Sequence, residues 1–110
     1  MSQIQEVELS IEHAKAVIRK RDIALKLADN SDFKELVLQG YLVDEAARLA
    51  HLSADLTLTP QERAEVLQMV QAIGFFKAYM SKHVSFGNQA ERDLRAHEET
   101  LRELHAEGED

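Results

Sequence analysis

Two long stretches of this chain repeat apolar residues at alternating intervals of three and four, and no other feature constrains its fold so strongly. The first stretch comprises Ile4, Val7, Ile11, Ala14, Ile18, Arg21, Leu25 and Ala28, with Arg21 as its one charged member. The second comprises Met69, Ile73, Phe76, Met80, His83, Gly87, Ala90, Leu94, His97, Leu101 and Leu104. Such heptad spacing places each set along one side of an α-helix. The chain is therefore predicted to be all-α.

The scarcity of helix-breaking residues supports the same fold class. The 110 residues include one proline and four glycines, whereas strands and tight turns need such residues often. Apolar residues make up 45% of the chain, which is ordinary for a globular protein and does not fit wholesale disorder. We expect residues 1–110 to form a single helical domain, either a small bundle or a helical hairpin with a long C-terminal helix.

The first two helices are predicted over residues 2–28 and 32–52. Ser2 and Gln5 have the spacing of a capping box at the start of helix one, and Asp32 and Glu35 repeat that spacing at the start of helix two. Helix two is apolar on more than one side, which is typical of a central helix. Gly40 interrupts it, so the segment is either one helix or two short helices that meet at this glycine. A short strand over residues 36–38 or 41–43 is an alternative, although no turn residues flank either run.

The third helix is predicted over residues 60–107, after a loop near Ser53–Leu58. Thr59 is suited to the N-cap, Pro60 to the first helical position and Glu62 to the closing position of a capping box. The helix either continues to its end or breaks near residues 84–88, where Gly87 lies. A continuous helix would be longer than the first two helices could cover.

The uncovered part of that third helix is the predicted interaction surface. It carries a narrow apolar stripe among charged residues, which is typical of a coiled-coil seam. Adjacent Phe75 and Phe76 point about 100° apart, so one is expected in the core and the other against a second helix or a partner, with packing in the core alone as the favoured interpretation. The predicted interface residues are Ala90, Leu94, His97, Leu101, Leu104, Phe75 and Phe76. We expect a homo-oligomer or a complex with another protein.

The sequence contains no pattern typical of a catalytic, cofactor or metal site. It has no cysteine, and none of its five histidines follows an acidic residue by three positions, as in helical di-iron sites. No Gly-x-Ser-x-Gly elbow occurs, and the glycines are too far apart for a phosphate-binding loop. We predict a protein that is not an enzyme, with no catalytic, cofactor-binding or metal-binding residues. No motif reveals a small-molecule pocket between subunits.

The charge distribution bears on the class of partner. The net charge is −7, and residues 88–110 carry eight acidic residues against three arginines. An acidic chain repels phosphate, which disfavours direct binding of nucleic acid. Lys15, Arg19 and Lys26 share one side of helix one and could pair with an acidic helix of a neighbouring subunit. No apolar run reaches the ~20 residues that span a bilayer, and the first residues do not have the pattern of a signal peptide.

One segment resembles a known group of proteins. Residues 32–49 read DFKELVLQGYLVDEAARL, and residues 72–76 read AIGFF. With the acidic C-terminal helix, these residues resemble a group of short proteins of tailed bacteriophages that share a charged helix, a DF…GY…EA.RL segment, a loop and an AIG helix. The resemblance covers about residues 11–104 and rests on helix-packing motifs. It implies a phage origin and a place in the virion or the host bacterial cytoplasm, and it assigns no functional residues.

Two functions from different classes follow. The first is a structural or assembly protein of a phage particle that acts through helix-mediated oligomerisation or partner binding. The second is an acidic phage regulator or inhibitor that binds a host protein, which the acidic last quarter of the chain suggests.

Overall fold

The computed structural model describes residues 2–108, and these are almost entirely helical. Helix α1 spans Gln3–Ala28 and helix α3 spans Pro60–Ala106. Helix α2 lies between them and has three consecutive parts, an α-turn over Ser31–Phe33, a π-helix over Lys34–Glu45 and an α-helix over Ala46–Ser53. The described residues form no strand, so the all-α prediction is confirmed.

The predicted capping box at the start of α1 is formed. The backbone N–H of Gln5 donates to the Ser2 hydroxyl at 3.1 Å, and the N–H of Ser2 donates to the Gln5 side-chain carbonyl at 3.0 Å. The two residues satisfy each other's free N–H groups, which a helix start otherwise leaves unpaired.

Helix α2 starts at a different cap from the one predicted. The side-chain carbonyl of Asn30 accepts a hydrogen bond from the N–H of Phe33 at 2.9 Å, so Asn30 is the N-cap. The prediction that Asp32 and Glu35 form this cap is wrong. An earlier cap is favoured because Asn30 has extended backbone angles, while Asp32 already lies within the helix.

The middle of α2 continues through Gly40 in π-helical geometry, without a break. A π-helix closes its hydrogen bonds over five residues, and stretches longer than one turn are rare. The side chains of Gln39 and Asp44, five residues apart, accordingly lie close enough for a 2.9 Å hydrogen bond. The wider turn keeps Leu42 and Ala46 packed on one side, while Leu36 lies on the exposed surface.

The loop between α2 and α3 is held by side chains at both ends. Thr59 and Glu62 form the predicted capping box, with the N–H of Glu62 donating to the Thr59 hydroxyl at 3.1 Å. The Arg63 guanidinium donates to the backbone carbonyls of Ser53 and Asp55, which occupy the C-terminal end of α2 and the loop. The sequence predicted the start of α3 correctly.

Helix α3 is continuous over all 47 of its residues. Of the two alternatives, the structure therefore has the unbroken helix, and residues 84–88 keep helical geometry.

The tertiary contacts group into two compact units. The central unit is Lys26–Ser81, and the terminal unit is Met1–Leu25 with Lys82–Asp110. In the central unit, Leu49 of α2 is buried against Val66 and Ile73 of α3. The partly buried residues Leu42, Ala46, Leu52, Leu58 and Val70 surround these three.

In the terminal unit, residues of α1 lie against the C-terminal part of α3. Ile4, Ile11 and Ala14 of α1 are buried, as are Ala90 and Leu104 of α3. The expectation that the first helices leave the C-terminal stripe uncovered is therefore wrong for Ala90 and Leu104. The reason is that α1 pairs with the C-terminal part of α3 inside one chain.

Candidate protein-interaction surfaces

The two helices of the terminal unit approach each other closely at Arg21 and Gly87. A methyl group built on Gly87 would overlap Cβ of Arg21 and would lie 2.7 Å from its Cγ and Cδ. Gly87 is itself buried within α3. Glycine therefore lets the two backbones approach here, and any larger residue would push them apart.

The Arg21 side chain is only 12% exposed and is paired at every nitrogen of its guanidinium. Nε donates to Asp22 Oδ1 at 3.1 Å, Nη1 to Asn88 Oδ1 at 3.1 Å and Nη2 to Glu91 Oε1 at 3.4 Å. The hydrogen bonds to Glu91 and Asp22 raise the pKa of Arg21 above its ordinary value. The charged member of the first heptad seam thus packs on a glycine and extends to polar residues at the edge of α3.

The Arg21–Gly87 approach sets the register of the two helices. The two helices of the terminal unit are antiparallel. In a parallel pair with Arg21 level with Gly87, Ile4 would lie level with Val70, which belongs to the central unit. Because the rise per residue is the same in both helices, the residue numbers of two facing positions always have the same sum. These positions are 4 and 104, 7 and 101, 11 and 97, 14 and 94, 18 and 90, 21 and 87, and 25 and 83.

The first heptad seam therefore faces the C-terminal part of the second seam, from His83 to Leu104, within one chain. Small residues fall opposite large ones, with Ala14 facing Leu94 and Ala90 facing Ile18. Such alternation lets antiparallel helices interdigitate at short separation.

The predicted interface residues fall into three classes of exposure. Ala90 and Leu104 are buried, and Leu94, His97 and Leu101 are half-buried on the same seam. Phe76 is half-buried in the central unit, where its ring meets the Tyr41 ring edge to face, with 5.9 Å between the centroids. Phe75 is 73% exposed. Phe75 therefore does not pack in the core, and its contact with a partner stays a prediction.

The terminal unit has an apolar groove of about 750 Å³ along one side of its two helices. Leu9, His13 and Val17 line it from α1, and Phe86, Asp93 and His97 line it from α3. Leu9 is 61% exposed and Phe86 is 58% exposed, so these two large apolar side chains are open to solvent. The groove is therefore an apolar surface that nothing covers within the described residues of the terminal unit.

Ala90 and His97 of the predicted interface line this groove, but the heptad seams do not predict its two large exposed residues. Leu9 belongs to no seam, and Phe86 lies in the segment where the third helix could have broken. The sequence nevertheless contained an indication of the groove. Leu9 and Phe86 are large apolar residues, and each lies outside the heptad seam of its helix. Such surplus residues indicate a second apolar surface on the same helix.

The central unit exposes apolar residues of its own. Phe75 on α3 and Leu36 and Val43 on the π-helical part of α2 are all exposed. A shallow hollow beside the π-helix is lined by Leu36, Gly40, Tyr41, Asp44, Glu45 and Arg48. The Arg48 guanidinium donates to the Glu45 carboxylate and lowers the pKa of that carboxyl. This surface is wide open, so it fits another protein surface better than an enclosed small molecule.

Residues 2–108 meet the requirements of neither a metal site nor a membrane-spanning helix. No group of three or more His, Asp or Glu side chains in this range could hold a metal ion. Nor does any helix in this range combine the length and apolar character that crossing a bilayer requires.

Comparison with known proteins identifies no relative. No protein-family model, curated protein or solved structure matches the chain. The resemblance to short phage proteins consequently stays a prediction.

Proposed function

We propose that this chain is a non-enzymatic structural or assembly protein that acts by binding other protein chains through its helix surfaces. The phage particle implied by the sequence resemblance is the assembly in which we place it.

The observation that carries the proposal is the exposure of large apolar side chains. Thirteen of them are exposed in the described chain, and none of the described side chains is fully buried. Exposed single residues are ordinary, but the groove brings several together on one surface. Burial of such a surface against another chain contributes about 25 cal/mol per Å².

Mass spectrometry of purified virions tests this proposal. A structural protein is expected at a fixed copy number relative to the capsid protein, and its amount should survive stringent purification of the particles. An assembly factor that leaves before maturation is expected in precursor particles at a fixed copy number. Absence from both kinds of particle would contradict the proposal.

The acidic regulator remains a second candidate because of one feature of the terminal unit. Its residues 2–12 and 96–108 carry seven carboxylates against a single arginine. A concentrated acidic surface can occupy a nucleic-acid-binding site on a host protein. Expression early in infection, combined with absence from particles, is the outcome that favours this candidate.

A further inference from the structure

The charges of the terminal unit are divided into two halves along its length. Residues 2–12 and 96–108 lie at one end and carry seven acidic residues and one basic residue, for a net charge of −6. Residues 13–25 and 82–95 lie at the other end and carry seven basic and three acidic residues, for a net charge of +4. The antiparallel register brings the like-charged segments of α1 and α3 together, so the unit has an acidic half and a basic half.

The apolar groove lies across the boundary between these halves. Its lining extends over residues 9–17 of α1 and 86–97 of α3, and the change of charge falls at residues 12–13 and 95–96. The groove therefore has the acidic half of the unit at one end and the basic half at the other end.

We propose that the occupant of the groove is a second copy of this chain, turned end for end. The proposal rests on the proposed function and names the partner. In a two-fold symmetric interface the same surface meets itself, so that surface must be complementary to itself. A surface with an apolar centre, one acidic end and one basic end meets this requirement when the second copy is reversed.

The symmetry specifies which residues meet. A two-fold axis that lies in the interface, perpendicular to the helices, places α1 antiparallel on α1 of the second copy. Centred on His13, the middle of the α1 lining, it brings Leu9 opposite Val17 of the second copy. It also brings Glu6 opposite Lys20 of the second copy, because each lies seven residues from His13 and therefore on the same side of α1.

These residues are available for the proposed contact. Glu6 and Lys20 are both exposed, and neither has an ion-pair partner among residues 2–108. Leu9 supplies a large apolar side chain close to the axis, and Phe86 supplies another at the basic end of the groove. Two terminal units then form a four-helix arrangement, which encloses an apolar layer that two helices alone leave open.

Light scattering coupled to size-exclusion chromatography tests the proposal on the full chain. We expect about 25 kDa, twice the 12.5 kDa of one chain, at tens of micromolar. Phe86→Asp should raise the dissociation constant about tenfold or more. Phe75→Asp is the matched control, since it makes the same change at an exposed phenylalanine of the same helix outside the groove. Circular dichroism checks that both variants keep their helicity.

Charge reversal tests the orientation. Glu6→Lys and Lys20→Glu should each weaken the dimer, and the double variant should restore it, because the two positions then carry exchanged charges that still attract. Lys15→Glu is the control, since Lys15 lies on the other side of α1 and pairs with Glu12. Raised salt should also weaken association, because exposed charges are screened.

Each result decides a separate statement. A monomeric wild-type chain overturns the second copy as occupant, while the proposed function is still decided by the particle analysis. A dimer that Phe75→Asp breaks and Phe86→Asp leaves intact overturns the groove as the interface. A double charge reversal that fails to restore the dimer overturns the reversed orientation.

Discussion

At the scale of single residues, the pairing of Arg21 with Gly87 explains two features that contradict simple helix patterns. An arginine on a heptad seam and a glycine within a long helix each cost stability when considered alone. Together they fit, because the glycine makes room for the arginine stem and the guanidinium reaches Asn88 and Glu91 at the edge of α3.

This pairing predicts opposite effects for the same substitution at two glycines of α3. Gly74→Ala should stabilise the protein by about 0.5–1 kcal/mol, because nothing lies within 4 Å of the added methyl group and alanine favours the helix. Gly87→Ala should destabilise it by about 1 kcal/mol or more, because the overlap with Arg21 outweighs that gain. Urea unfolding followed by circular dichroism measures both. Equal stabilisation in the two variants would show that the helices do not approach closely at Gly87.

At the scale of elements, the start of each helix is stabilised by local hydrogen bonds. The stability of the start of α3 also depends on pH. The N–H of Thr59 donates to the Glu62 carboxylate at 3.0 Å and lowers the pKa of Glu62. A carboxyl group with a lowered pKa in the folded state stabilises the fold above its unfolded pKa, and this contribution is lost as the pH falls through the folded value.

Glu62→Gln should therefore lower the thermal midpoint at neutral pH, and the difference from the wild type should shrink below about pH 4. Thermal unfolding from pH 7 to pH 3 measures the difference. Glu99→Gln controls for the loss of one negative charge on α3, since the Glu99 side chain is exposed and forms no hydrogen bond or ion pair within residues 2–108. A difference that stays constant with pH would mean that the capping carboxylate does not contribute.

The π-helical part of α2 is the element whose geometry the periodicity analysis did not anticipate. Apolar residues on more than one side of residues 32–52 were interpreted as a central helix that is either continuous or divided at Gly40. In the structure this segment is a continuous π-helix. Leu36 and Val43 are exposed on it, and Leu36 lines the hollow together with Arg48.

At the scale of the whole molecule, the stability depends on few buried residues. Nine hydrophobic residues are buried in the described chain, and the contacts group into two units although α1 and α3 are each continuous helices. The single folding domain predicted for residues 1–110 stays a prediction.

A comparison of two leucines measures how much the central core contributes. Leu49 is 3% exposed, so Leu49→Ala should cost about 2–4 kcal/mol through lost burial and the cavity left behind. Leu56 is 93% exposed in the loop, so Leu56→Ala should change stability by no more than about 0.5 kcal/mol. Urea unfolding of both variants provides the values. Similar losses in the two would mean that the core around Leu49 is not packed.

The sequence by itself determined the class of fold, the ends of α1 and α3, two capping boxes and both heptad seams. These features depend on hydrogen bonds within a few residues and on periodicity along one helix, so they can be read without knowing which helices meet. The mistaken cap at Asp32 shows the limit of that reading, because Asn30 offered an equally good side chain two residues earlier.

Only the tertiary structure decided which surfaces are covered. Ala90 and Leu104 were predicted for an interface because no local pattern indicates that α1 pairs with residues 66 to 100 positions away. That choice depends on a close approach at Arg21 and Gly87, which no local pattern reveals. Once the two seams face each other, the apolar residues outside them, Leu9 and Phe86, remain exposed at the groove, because a helix pair can bury only the sides that it turns inward.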